Sequence, residues 1–218
     1  MFVPPMTIPE AIAEAKADLV SVQRKLMHSI QTQEREHRKN RRGGDIVGKF
    51  TYVSPRDNNW LYVITTNKKQ SFHNVLMWYR AKEGLCGLQL AHEGLHNLFM
   101  PHFFTQYRAR MKSTITDPEE NLRNFFFRNP AAMIMRTGKE HLGFPAAFGS
   151  VPDGYVLGTV HDDLQYVRCR TFVDHTRAFK NQKEDHEALE LVRLLRERYP
   201  ALLAQAAAEE RVKKEEGE

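Results

Sequence analysis

Apolar residues recur in steps of three and four at Ile8, Ile12, Ala15, Leu19, Val22, Leu26 and Ile30. That spacing lays a single apolar stripe along a helix. Thr7-Ile8-Pro9-Glu10 ahead of it reads as a capping box with proline in the first turn, and Gly43-Gly44 reads as a stop. The expectation is a long helix within residues 1–44, its stripe packed on the body, on a second copy of the chain in a homodimer, or on a partner helix.

Beyond residue 45 the period changes to two, as strands with one covered face require. Residues 46–53 and 60–66 flank the turn cluster Pro55-Arg56-Asp57-Asn58-Asn59, and residues 74–80 and 85–91 flank Ala81-Lys82-Glu83-Gly84. A further strand is expected over 95–100. Pro101 then opens a helix over 101–112, and Asp117-Pro118 opens another with Leu122, Phe125 and Phe126 on its inner face. Asn129-Pro130 and Gly138 break the chain. Val151-Pro152-Asp153-Gly154 is a turn before a second pair of strands, 155–160 and 165–173, and residues 182–199 return to helical spacing. The expected class is α+β: antiparallel sheet regions bracketing a helical centre, with a long N-terminal helix and a C-terminal helix. The domains read as a basic helical arm (1–44), an α+β core (45–180) and a C-terminal helix with a charged tail (181–218).

Composition narrows the function classes. The 218 residues, 41% hydrophobic and 27% charged, suit one globular domain with an appendage. Two cysteines, Cys86 and Cys169, exclude a disulfide framework and a cysteine-rich zinc module, and point to a reducing, cytoplasmic setting. No apolar run is long enough to span a membrane, and Met1 to Thr7 lack the pattern of a signal peptide. No phosphate-cradling glycine loop is present. The net charge of +5 is concentrated in Arg35, Arg38, Lys39, Arg41 and Arg42, a block that favours polyanions such as nucleic acid or serves as a solvated helix end.

Three constellations carry candidate chemistry. His92-Glu93-Gly94-Leu95-His96 satisfies H-E-x-x-H, which on a helix sets two imidazoles on one face for zinc, with Glu93 as the base and His102 as a third ligand. Against a zinc hydrolase stand Phe99 where the peptidase pattern turns on a glycine, and Gly94 inside the helix. Strand-like alternation before His92 points the same way. The second is the helix at 101–112, which aligns His102, Gln106 and Arg110 on its polar face, opposite Phe103, Phe104 and Tyr107. The third is Tyr166 to Val173, where alternation sends Arg168 and Arg170 to one face and Cys169 and Thr171 to the other.

The order His-Phe-Phe-x-x-Tyr-x-x-Arg-Met (102–111), Phe125-Phe126-Phe127-Arg128-Asn129, Gly-x-x-Leu-Gly (154–158) and Arg170-Thr171-Phe172-Val173 resembles a group of uncharacterised bacterial proteins. That group is similar in motif order to the RelE-like and barnase-like toxin endoribonucleases, over about residues 95–180. The resemblance implies His102 as acid/base, Arg110 as phosphate ligand and Thr171 as a hydroxyl lining the cleft. Tyr107 or His175 would share the proton work. Arg128, Arg168 and Arg170 would join the basic run Arg38, Lys39, Arg41 and Arg42 in holding nucleic acid, RNA before DNA. Such a toxin-like reaction uses no cofactor; a non-catalytic nucleic-acid-binding module would use the same basic face.

Overall fold

The computed structural model describes residues 6–40, 44–91 and 94–177. Helix α1 (Ile8–Lys39) starts where the sequence says it should: the Thr7 N–H donates to Glu10 Oε2 at 2.7 Å and closes the capping box. Four antiparallel strands follow as a meander: β1 (Ile46–Val53), β2 (Asn59–Thr66), β3 (Ser71–Ala81) and β4 (Gly84–Gln89). The short β5 (His96–Phe99) pairs antiparallel with β4. Helices α2 (Pro101–Arg110) and α3 (Pro118–Arg128) come next, α3 capped by Asp117, whose side chain accepts from the Glu120 N–H. The chain closes with β6 (Met133–His141), β7 (Phe144–Val151), β8 (Gly154–His161), β9 (Tyr166–Asp174) and a 3-10 turn at His175–Arg177.

All nine strands belong to one sheet, ordered β1-β2-β3-β4-β5-β9-β8-β7-β6. This corrects the expected α+β layout of separate antiparallel regions around a helical centre: the class is mixed α/β. β5 and β9 pair in parallel, His96 opposite Tyr166 through Phe99 opposite Cys169, and this pair joins the halves. A parallel pair formed across so long a stretch of chain has no local sequence signature, because neither strand is followed by a turn leading to its partner. A second correction is the hairpin β6–β7, which replaces the expected break. The expected C-terminal helix and charged tail lie outside the described residues, and the chain divides into compact units at 177/178.

Each face of the sheet buries its own helices. On one face Trp60, Met77, Tyr79, Cys86, Leu88, Leu98 and Tyr166 meet Ala11, Ile12, Ala15 and Val22 of α1, and Tyr62 and Ile64 meet Leu26 and Ile30. The stripe of α1 is thus spent on the sheet of its own chain. Buried polar groups fix its register. Glu14 accepts from Arg56 and Asn58, Asp18 accepts from the Trp60 indole at 2.7 Å, and Gln33 donates to the carbonyls of Ile46 and Ile64. On the other face, β2, β3, β4, β5, β9, β8 and β7 all contribute to one core with α2 and α3. At its centre Phe103 meets Phe125 at 4.9 Å between ring centroids, and Tyr107 meets Phe125 and Phe172 at 5.0 Å. Such aromatic pairs add about 0.5–1.5 kcal/mol each beyond burial. Among the described residues no helix is long and apolar enough to cross a membrane.

Candidate functional site

Helix α2 is anchored by three fully or nearly fully buried rings, Phe103, Phe104 and Tyr107, and packs chiefly on β9. Helical spacing then leaves His102, in the first turn, exposed at the helix's N-terminal end. No side chain caps that end, and Pro101 has no N–H to satisfy.

The next contribution comes from β9. Its register with β8 shifts at Leu157/Gly158: Gly158 opposes Cys169 and Leu157 opposes Thr171, so Arg170 is the extra residue of a β-bulge. Gly158 is required there, since a Cβ would lie 2.4 Å from the Arg168 carbonyl oxygen. The bulge follows Arg168 and interrupts the alternation that alone sends the two arginines to the same face. Arg170 and Thr171 join His102 on one cavity. Arg168 is half-buried and does not line that cavity; its Nε is unpartnered among the described residues, its charge acts on Cys86 and Tyr166, and both arginines act on His161.

The third wall is the hairpin β6–β7. Leu142 and Gly143 both have positive φ, 54° and 76°, as a tight two-residue turn of the primed kind demands. The hairpin brings Lys139, Glu140 and His141 to the same cavity, whose volume is about 520 Å³. Ala146, Ala147, Leu157 and Gly158 supply its apolar part. The result is a pocket with two imidazoles, a guanidinium, an ammonium, a carboxylate and a hydroxyl over an apolar floor.

Of the residues singled out from sequence, His102, Arg170 and Thr171 are thus brought together. Others are not. Tyr107 is fully buried, and its hydroxyl donates to Asp153 Oδ2 at 2.7 Å. Burial first, and then that bond to a carboxylate, push its phenol well above the ordinary range, which unfits it for proton transfer. Arg128 is committed to the same carboxylate through a two-pronged ion pair of 2.8 and 2.6 Å, while Asn129 donates to it at 2.9 Å. Burial works to raise the Asp153 pKa, but the bonds from Arg128, Tyr107 and Asn129 hold it down at about 2. Arg110 is half-buried two turns along α2 from His102, about 12 Å at 1.5 Å per residue, and does not line the cavity. His175 also lies off the cavity, edge-on to Tyr155, its Nε2 donating to the Pro152 carbonyl at 3.1 Å.

The H-E-x-x-H segment does not form the helix that a zinc peptidase needs over its last three residues. Gly94 has a φ of 86° and His96 opens β5. His96 is buried and its Nδ1 accepts the Ala91 N–H at 3.2 Å. His92 and Glu93 lie outside the described residues, and among the described residues no group of three or more His, Cys, Asp or Glu is arranged to hold a metal ion.

The basic run ends α1. Arg38 is exposed, 3.9 Å from Glu34, and Lys39 is the last helical residue. Arg41 and Arg42 lie outside the described residues. Both thiols are buried, and burial pushes Cys86 up to about 12.

His141, Lys139 and Glu140 are the site residues that sequence reasoning missed. The one signal available was the pair Leu142-Gly143, a weak turn marker between two segments lacking clean alternation. Compared with family models, curated proteins and solved structures, the chain matches none.

Proposed function

We propose that the protein binds RNA and cleaves it without a metal at the cavity between α2, β9 and the β6–β7 hairpin. The observation that carries this reading is the convergence of His102, His141 and Arg170 on one cavity. Imidazole is the side chain best able both to take and to give a proton near neutral pH. Two of them satisfy the requirement for a base and an acid on either side of one phosphate. In the reaction, one histidine takes the proton of a ribose 2′-OH. The freed oxygen attacks the adjacent phosphorus and the P–O5′ bond breaks. The other histidine protonates the departing 5′ oxygen, leaving a 2′,3′-cyclic phosphate and a 5′-hydroxyl. Arg170, Lys139 and the uncapped start of α2 offset the charge that builds on the non-bridging oxygens. The Thr171 hydroxyl donates to one of them. The apolar floor suits the sugar or a base edge.

Purified protein incubated with RNA in the presence of a chelator should yield fragments ending in cyclic phosphate. RNA that is bound yet stays intact would replace this reading with a non-catalytic binding module.

A further inference from the structure

We infer that a second, mainly polar cavity at the C-terminal end of α1 is a phosphate-docking site that holds the RNA backbone at a point separate from the cleavage cavity. This rests on the RNA-binding reading above and adds where the strand is gripped. The cavity, about 280 Å³, lies between the last turn of α1 and the turn joining β2 to β3, and shares no residue with the one around His102.

Its chemistry is that of an anion site. Arg38, Lys68 and Lys69 supply three cations against the single carboxylate of Glu34. All three cations are exposed. Glu34 is already engaged, accepting from the Ser71 hydroxyl at 3.0 Å and lying 3.9 Å from Arg38. His37 faces the same space: it is half-buried, and its Nε2 is enclosed with no hydrogen-bond partner among the described residues. A buried ring nitrogen without a partner is uncommon, and in the tautomer that carries its proton there, a phosphate oxygen would accept from it. The turn itself is fixed by Asn67, whose Oδ1 accepts from the N–H groups of Lys69 and Gln70 at 2.8 and 3.0 Å, so the two lysine side chains project from a defined backbone.

The lining also selects among anionic partners. None of its residues is apolar. A membrane-surface site needs apolar side chains to enter the acyl boundary beside its cations, whereas a nucleic-acid backbone needs only the cations and donors. Lys39 follows within the same stretch.

The test is the salt dependence of binding. A fluorescently labelled single-stranded RNA is titrated with the full chain by anisotropy from about 50 to about 300 mM salt. Each phosphate contact contributes a slope of about 0.7 in log affinity against log salt for single strands. Replacing Arg38, Lys68 and Lys69 together by alanine should therefore flatten the slope by about 2 and weaken low-salt binding by at least about tenfold. The exposed pair Lys68→Gln and Lys69→Gln should give a proportionate part of the change, which guards against a folding defect in the triple variant. A slope unmoved in protein that still binds RNA overturns this inference and spares the cleavage reading. A slope that flattens in protein unable to cleave RNA does the reverse. Binding to vesicles of anionic lipid that depends on these residues, with none to RNA, overturns both.

Discussion

His102 and His141 line one cavity, the first carried by the opening turn of α2 and the second by the last residue of β6. Neither is held in the core, and both are exposed. Their pairing depends on the hairpin turn at Leu142-Gly143 and on the anchoring of α2 by Phe103, Phe104 and Tyr107.

His102→Ala and His141→Ala should each lower RNA cleavage by about 10²–10⁴-fold. Because both side chains are exposed, the melting temperature should stay within a degree or two of the parent, as surface changes usually move stability by less than about 0.5 kcal/mol. The double variant should be scarcely worse than the more damaged single one, since an acid and a base act as a unit. Rates of cyclic-phosphate formation check this. Full activity in either single variant would remove that histidine from the chemistry.

Arg170 and Arg168 should separate cleanly. Arg170→Ala is expected to cost about 10²–10³-fold in turnover, the usual loss when one charge-stabilising donor is removed. Arg168→Ala should leave turnover within about threefold, because Arg168 does not line the cavity. Equal losses in the two variants would mean that the bulge does not divide their roles.

Tyr107→Phe removes one buried hydrogen bond and should cost about 1 kcal/mol of stability while cleavage persists. Asp153→Asn breaks the ion pair with Arg128 and weakens the acceptor for Tyr107 and Asn129, so a larger loss of about 2–4 kcal/mol is expected. Denaturant unfolding gives both values. If Tyr107→Phe abolished cleavage in folded protein, its hydroxyl would belong to the chemistry after all.

Glu10, Glu14, Asp18 and Asp153 are all held below the ordinary carboxylate range, and Glu14 and Asp153 lead in setting the acid limit of stability. Glu14, bonded first by Arg56, and Asp153 both sit at about 2 in the folded chain. Their ordinary values are near 4, so between about pH 4 and pH 2 the unfolded chain binds protons that the folded one does not. Stability from this source is therefore complete above about pH 5 and is lost as pH falls toward 2. The melting temperature followed from pH 7 to pH 2 should show a plateau and then a decline. The Asp153→Asn variant should start lower and decline less steeply.

The meander β1–β4 and helices α1 to α3 were legible because each carries a local signal: a period of two between turn clusters, or a period of 3.6 behind a cap. What escaped was non-local or unpatterned. Strand β6 has no buried residue, so its sequence shows no alternation, and β7 contains Pro145 and Gly149. With that hairpin went His141. The bulge at Arg170 also leaves no trace in spacing, which treats Arg168 and Arg170 alike although only Arg170 lines the cavity. Glu14, Asp18 and Gln33 lie in the buried stripe of α1 with no apolar character of their own, and only the geometry of Arg56, Asn58, Trp60 and the backbone of β1 and β2 accounts for them.

The parallel pairing of β5 with β9 also sets an order of events in time. Until β9 has emerged from the ribosome, β5 has no second neighbour, the two halves of the sheet are unjoined, and Arg170 and Thr171 do not yet exist. The cavity is therefore assembled in the same closing step that completes the sheet, after the ends of the long stretch of chain between β5 and β9 have been brought together at their entropic cost. A nascent chain that has displayed His102 and His141 still lacks a working pocket. Any activity seated there begins only when the described fold is finished, and a chain truncated before Tyr166 is expected to lack it.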